Sequence, residues 1–120
     1  LQTSENDILA VTLNVTEELA QVDLDILPLE LHLYQNYPNP FNPETAIRFS
    51  VPVEQDVTLA IYDMLGKQIK SLNYEKMNAG HHQFVWDGRN QSGHVISTGV
   101  YFCRLITSSK VMTRKMLFLK

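Results

Sequence analysis

The chain has 120 residues, 44% of them hydrophobic and 19% charged, a composition that can bury one domain's core and is not that of a disordered tail. The single cysteine, Cys103, excludes an internal disulfide and a multi-cysteine metal centre, and no apolar run approaches the roughly 20 residues of a membrane-spanning helix. The net charge of −3 conceals an asymmetry: residues 1–36 hold seven acids and no Lys or Arg, whereas residues 37–120 hold six acids and all ten bases. Those bases are dispersed through strand-like segments and form no arginine-rich helix, which argues against a nucleic-acid partner. The change of sign marks a module boundary.

In chain order, residues 8–26 alternate with period two: Leu9, Val11, Leu13 and Val15, then Val22, Leu24 and Ile26. They read as a two-stranded hairpin with an acidic outer face. Such a pair is marginal alone in water and needs a surface to pack on. Residues 27–36 (LPLELHLYQN) read as an extended connector, with Pro28 opposing helix. The absence of an initiator methionine makes the chain look like a piece of a longer one. We therefore expect residues 1–29 to be the C-terminal remnant of an upstream domain plus its connector, and residues 30–120 to be a separate domain.

Residues 37–43 (Tyr37, Pro38, Asn39, Pro40, Phe41, Asn42, Pro43) form neither helix nor central strand, because proline fixes φ and lacks an amide donor. The segment is expected to clasp an open end or edge of the domain. Tyr37 and Phe41 should anchor it in the core, and Asn39 and Asn42 should bond nearby backbone and hold turns. After it the strands are clear. Thr45–Val51 alternates and ends at Pro52. Residues 57–65 (VTLAIYDML) and the shorter, more polar run 67–72 (KQIKSL) make a hairpin around Gly66. Residues 81–86 (HHQFVW), 100–107 (VYFCRLIT) and 111–119 (VMTRKMLFL) supply three more strands. Six or seven short strands at intervals of roughly 8–12 residues predict an all-β antiparallel β-sandwich of about seven strands, with the N-terminal β-hairpin as an extra.

Trp86, the one tryptophan, is expected at the centre of the core, its indole N–H bonded to a backbone carbonyl. Residues 87–93 (DGRNQSG) suggest calcium but lack the EF-hand carboxylate spacing. Asp87 is instead expected to cap its own turn, with Gly88 and Gly93 at positive φ. His81 and His82 are adjacent, so on a strand they point to opposite faces and do not share a metal; His32 and His94 complete no ligand spacing. Cys103 lies in an apolar strand and reads as a small buried hydrophobe. No nucleophile–base–orienter set and no phosphate loop is present, so catalytic residues, cofactors and metals are not assigned and the chain is not expected to be an enzyme.

Residues 37–43, followed by Thr45, Ile47, Phe49, Val51 and Pro52, strongly resemble the opening of the C-terminal sorting domain of the type IX secretion system. Residues 57–63 with Gly66, then Ala79, Gly80, His81 and His82, then Trp86, Asp87, Gly88 and Gly93, then Ser97, Thr98, Gly99, Val100, Tyr101 and Phe102, and finally residues 115–120 (KMLFLK), follow that family's pattern in order over about residues 33–120. The resemblance implies an immunoglobulin-like fold related to a domain of the flagellar hook-capping protein. It also implies a non-catalytic role: carrying a cargo protein through the periplasm and across the outer membrane of a Gram-negative bacterium, followed by cleavage and release or surface attachment. Implied partners are the outer-membrane translocon and shuttle proteins, a sortase-like peptidase, and the upstream cargo domain of the same chain. The alternative is a structural Ig-like module packed on an upstream catalytic or adhesive domain.

The closing strand is the candidate recognition element: Lys110, Arg114, Lys115, Met116, Leu117, Phe118, Leu119 and Lys120, with four cations and no acid. Alternation places Met112, Arg114, Met116 and Phe118 on one side and Val111, Thr113, Lys115, Leu117 and Leu119 on the other. Edge cations deter unwanted pairing, and an exposed strand offers itself for strand addition. Deleting residues 115–120 is expected to abolish export while the cargo still folds.

Overall fold

The computed structural model describes residue 28 and residues 30–119; the hairpin expected over residues 8–26, Leu29 and Lys120 lie outside them. Seven strands occur among the described residues: β1 (His32–Leu33), β2 (Thr45–Val51), β3 (Gln55–Asp63), β4 (Gln68–Met77), β5 (Gly80–Trp86), β6 (Gly99–Ile106) and β7 (Val111–Phe118). They form a three-stranded sheet ordered β1-β2-β5 and a four-stranded sheet ordered β4-β3-β6-β7. All the strand pairings are antiparallel, which is the expected two-layer, immunoglobulin-like sandwich.

Period-two alternation builds the core directly. Ile47, Phe49 and Val51 of β2 face Val57, Leu59 and Ile61 of β3 and Tyr101, Cys103 and Leu105 of β6, and all are buried. The intervening Arg48, Thr58 and Tyr62 lie outward, where Arg48 covers the Tyr34 ring and Arg104 the Tyr62 ring, each at 5.7 Å. A one-residue slip of any of these strands would carry its apolar set into solvent, so the register is strongly specified.

Two elements differ from expectation. β4 is ten residues long rather than a short return strand, because Leu72 and Tyr74 continue an inward alternation opposite Leu59 and Val57. The connector before the proline run contributes β1, with His32 opposite Ser50 and Leu33 opposite Phe49, and Leu31 and Leu33 enter the core.

Trp86 is fully buried, donates from Nε1 to the Arg89 carbonyl at 2.9 Å, and meets Tyr101 edge-on at 5.8 Å and Phe41 at 5.3 Å. The Tyr101 hydroxyl donates to the Ser97 carbonyl at 2.6 Å, pinning the turn that enters β6 through Gly99. In the loop after β5, Asp87 accepts from the Arg89 amide at 3.2 Å, and Asn90 Oδ1 accepts from the amides of Ser92 and His94 at 3.0 and 2.9 Å. Gly88 and Gly93 take φ of 72° and 85°, where a side chain is disfavoured. Asp87 Oδ1 and Asn90 Oδ1 are thus engaged with the loop's own backbone, and Asp87 Oδ2 meets Arg89 Nε at 3.7 Å.

Candidate functional site

Among the described strands β7 is an edge strand, flanked by β6 on one side only. Its side chains divide as the alternation predicts. Met116 and Phe118 point inward and are 0% and 1% exposed, Met112 and Arg114 are half-buried, and Val111, Thr113, Lys115 and Leu119 are exposed. Of the eight residues expected to meet a partner, Met116 and Phe118 are thus core side chains and not surface groups. The physical reason is that a sandwich edge strand still has one face packed on the opposite sheet. Arg114 is also committed: its Nε donates to the Leu33 carbonyl at 2.9 Å, tying β7 to β1 across the sandwich. Leu117 is half-buried. Lys110, Lys115 and Leu119 remain on the surface, and neither lysine has an acidic partner among the described residues, where the one ion pair is Asp87–Arg89.

The proline segment does clasp the domain, and it does so on β7. The Phe41 amide donates to the Leu117 carbonyl at 2.9 Å, and the Leu119 amide donates to the Phe41 carbonyl at 3.1 Å. Asn39 Oδ1 accepts from the Leu117 amide at 2.9 Å, and Gln35 Nε2 donates to the Lys115 carbonyl at 2.7 Å. These four bonds occupy the outward backbone groups of β7 from the Lys115 carbonyl to the Leu119 amide. Phe41, 1% exposed, stacks on Phe118 with ring centres 4.9 Å apart and planes 8° apart.

Two expectations about the clasp are corrected. Tyr37 is 74% exposed and is no core anchor. Its backbone exchanges bonds with Ala46 at 2.8 and 3.0 Å, and this pairing puts its side chain on the solvent face with that of Ala46. Asn39 does not hold a local turn but reaches a strand 78 residues away. The local turn is held instead by Asn36, which is buried and whose Nδ2 donates to the Pro38 carbonyl at 3.1 Å and to Thr45 Oγ1 at 2.9 Å, while Thr45 Oγ1 donates to Pro38 at 2.8 Å. No spacing rule singles out Asn36 or Gln35; the signal in the sequence is only an amide pair immediately before the proline run. Pro38, Pro40, Asn42 and Pro43 are exposed.

Past the clasp, towards Val111, nothing among the described residues bonds the outward backbone groups of Val111 and Thr113. The open half of the β7 edge is therefore short, and Lys110, Arg114 and Lys115 surround it. Cys103 is buried beneath this sheet, and desolvation pushes its thiol up to about 12, so it stays protonated. His82 stacks on Phe49 at 5.6 Å and bonds the Asn78 carbonyl through Nε2 at 2.8 Å, while His81 is exposed on the other face. Among the described residues no three His, Cys, Asp or Glu side chains gather in a way that could hold a metal. The chemistry available at the site is thus backbone pairing along a strand edge, flanked by cations.

Comparison with known proteins places this geometry. The family model described as the FlgD Ig-like domain matches residues 42–110, more than half of the 120-residue chain. Similar solved structures include latent PorU from Porphyromonas gingivalis, at 22% identity and a TM-score of 0.56 over 74% of this chain and 9% of that one. FlgD from P. aeruginosa is similar at 23% identity and a TM-score of 0.51, over 77% of this chain and 70% of that one. So is PorZ from Porphyromonas gingivalis, described as an essential bacterial surface component of the type-IX secretion system, at 19% identity and a TM-score of 0.51 over 73% and 11% of the two chains. The chain therefore spans about a tenth of the length of PorU and of PorZ. No curated protein matches it in sequence. By the extent of the family match, the chain belongs to the FlgD Ig-like domain family.

Proposed function

We propose that the domain is a non-catalytic C-terminal secretion signal. It labels a cargo protein for passage across the outer membrane through a type IX system and is then removed by a sortase-like peptidase, leaving the cargo released or surface-attached. The observation that carries this reading is the placement of the sequence motifs. The proline segment and the basic closing strand, which head and end the sorting-domain pattern, meet in space, where Phe41 and Asn39 dress the outer half of β7. The shared fold with a segment of PorZ is consistent with it. Shuttle and translocon proteins would read the exposed strip of Lys110, Val111, Thr113, Lys115 and Leu119, whose two lysines favour an acidic counterpart.

The deletion of residues 115–120 is a poor test, because it removes Met116 and Phe118 from the core and unfolds the tag along with any signal. Point changes on the exposed strip are better. Fused behind a reporter in a type IX-competent host, the chain is expected to send the reporter to the surface or medium. The double variant Lys110→Glu/Lys115→Glu should retain it in the periplasm with an unchanged melting temperature, since exposed substitutions stay within about 0.5 kcal/mol. A wild-type fusion that stays periplasmic refutes the reading and favours the structural Ig-like module, which the family membership fits equally well.

A further inference from the structure

A two-sheet sandwich has four edge strands, here β1, β5, β4 and β7, and each exposed edge is a template for pairing with another chain. Three of the four are blunted by identifiable devices. β1 has two residues, and its Leu33 carbonyl is taken by Arg114. β7 carries the clasp and its flanking cations. On β4, Gln91 covers the near half, its amide donating to the Ile69 carbonyl and its Oε1 accepting from the Ser71 amide, both at 2.9 Å. The far half of β4 is broken by a bulge at Lys76, which has φ of 48° and donates its amide to Asp56.

Among the described residues, β5 has none of these protections. The backbone groups of Ala46 face Tyr37 and the Arg48 carbonyl faces Tyr34, so the even-numbered residues of β2 address β1 and the odd-numbered ones address β5. The β2–β5 register pairs Ile47 with Phe84 and Phe49 with His82. Hence Phe84 and His82 bond to β2, while the amides and carbonyls of His81, Gln83 and Val85 point away from the sheet. Among the described residues nothing bonds those groups. The strand has no Lys, Arg, Asp, Glu or Pro and no bulge, and the side chains of His81, Gln83 and Val85 are exposed.

We propose that this edge is a self-association surface, and that its occupant is β5 of a second copy, paired antiparallel about a two-fold axis at Gln83. That register sets Gln83 against the partner's Gln83 and His81 against the partner's Val85. These residue pairs exchange about six backbone bonds, which satisfies all the outward groups of the three residues. On the inner side it sets half-buried Phe84 against the partner's His82, an aromatic cross-strand pair. Self-complementarity and charge select the second copy. The two-fold axis sets only Gln83 against its own image, and a strand without Lys, Arg, Asp or Glu opposes no like charges in pairing with itself, whereas β4 and β7 carry lysines or arginines. The paired edge buries less than the ~1,200 Å² of a stable interface, so the dimer is weak and dependent on concentration. This inference is independent of the export reading.

Sedimentation equilibrium of the full chain, from about 10 µM to about 1 mM in keeping with so small an interface, is expected to show a dimer fraction that grows with concentration. Hydrogen exchange at the His81, Gln83 and Val85 amides should slow in parallel. Gln83→Lys, which sets two ammonium groups across the axis, should abolish the dimer with no change in melting temperature; Val85→Lys is the second variant should the first fold poorly. A chain that stays monomeric at the highest concentration overturns the proposal. So does a dimer whose three amides still exchange freely, a dimer that survives the lysine variants, or a monomer whose three amides are protected at every concentration because another part of the chain covers them.

Discussion

Phe41→Ala is the sharpest test of the clasp. The ring is 1% exposed and touches both Phe118 at 4.9 Å and Trp86 at 5.3 Å. Truncating a fully buried phenylalanine costs about 3–5 kcal/mol through lost transfer energy and the cavity left behind. The two aromatic contacts place this site in the upper part of that range. Against a total stability of about 5–15 kcal/mol for a domain of this size, the loss is large, and the melting temperature should fall by roughly 15–30 °C. Tyr37→Ala, four residues earlier on the same segment, should move stability by no more than about 0.5 kcal/mol, because that side chain is 74% exposed. Guanidinium titrations followed by circular dichroism, with the two variants beside the parent chain, measure both. If Phe41→Ala cost under about 1 kcal/mol, or if Tyr37→Ala cost as much as Phe41→Ala, the clasp would not be anchored as described. A large loss together with an unchanged slope on denaturant would place the effect in the folded state.

Two further predictions use other parts of the core. Gly88→Ala should cost about 2–4 kcal/mol, combining the left-handed backbone penalty with overpacking, because a Cβ there would lie 3.2 Å from the Phe118 ring and 3.4 Å from the Pro43 carbonyl. Gly93→Ala, at a similar φ but with open space around it, should show only the backbone penalty of about 1–2 kcal/mol, and thermal melts of the pair separate the two terms. The Cys103 thiol is raised from 9.0 to about 12 by burial. The unfolded chain therefore ionises first, and the stability held below pH 9 should be lost progressively as pH rises towards 12. Cys103→Ala should flatten that decline, and a pH series of denaturant midpoints for both proteins reads it.

The sequence alone determined the class of fold, six of the seven strands and most of the core. Period-two alternation is a local property, and Ile47, Phe49, Val57, Leu59, Ile61 and Leu105 can face only one way once a strand is assumed. Trp86 and the Asp87–Gly93 loop were legible for the same reason: their bonds close within a few residues, so composition and spacing carry them. What the tertiary structure decided is whatever depends on which edge meets which segment. Nothing local shows that Asn39 caps Leu117, that Arg114 reaches Leu33, or that Phe41 turns in, since each follows from the packing of a segment against a strand some 80 residues away, and Tyr37 turns outward through its pairing with Ala46. The division of β7 into a buried half and a presented half is equally non-local. Its inner side chains are core because the opposite sheet covers them, and its outer backbone is capped because the proline segment comes to rest there.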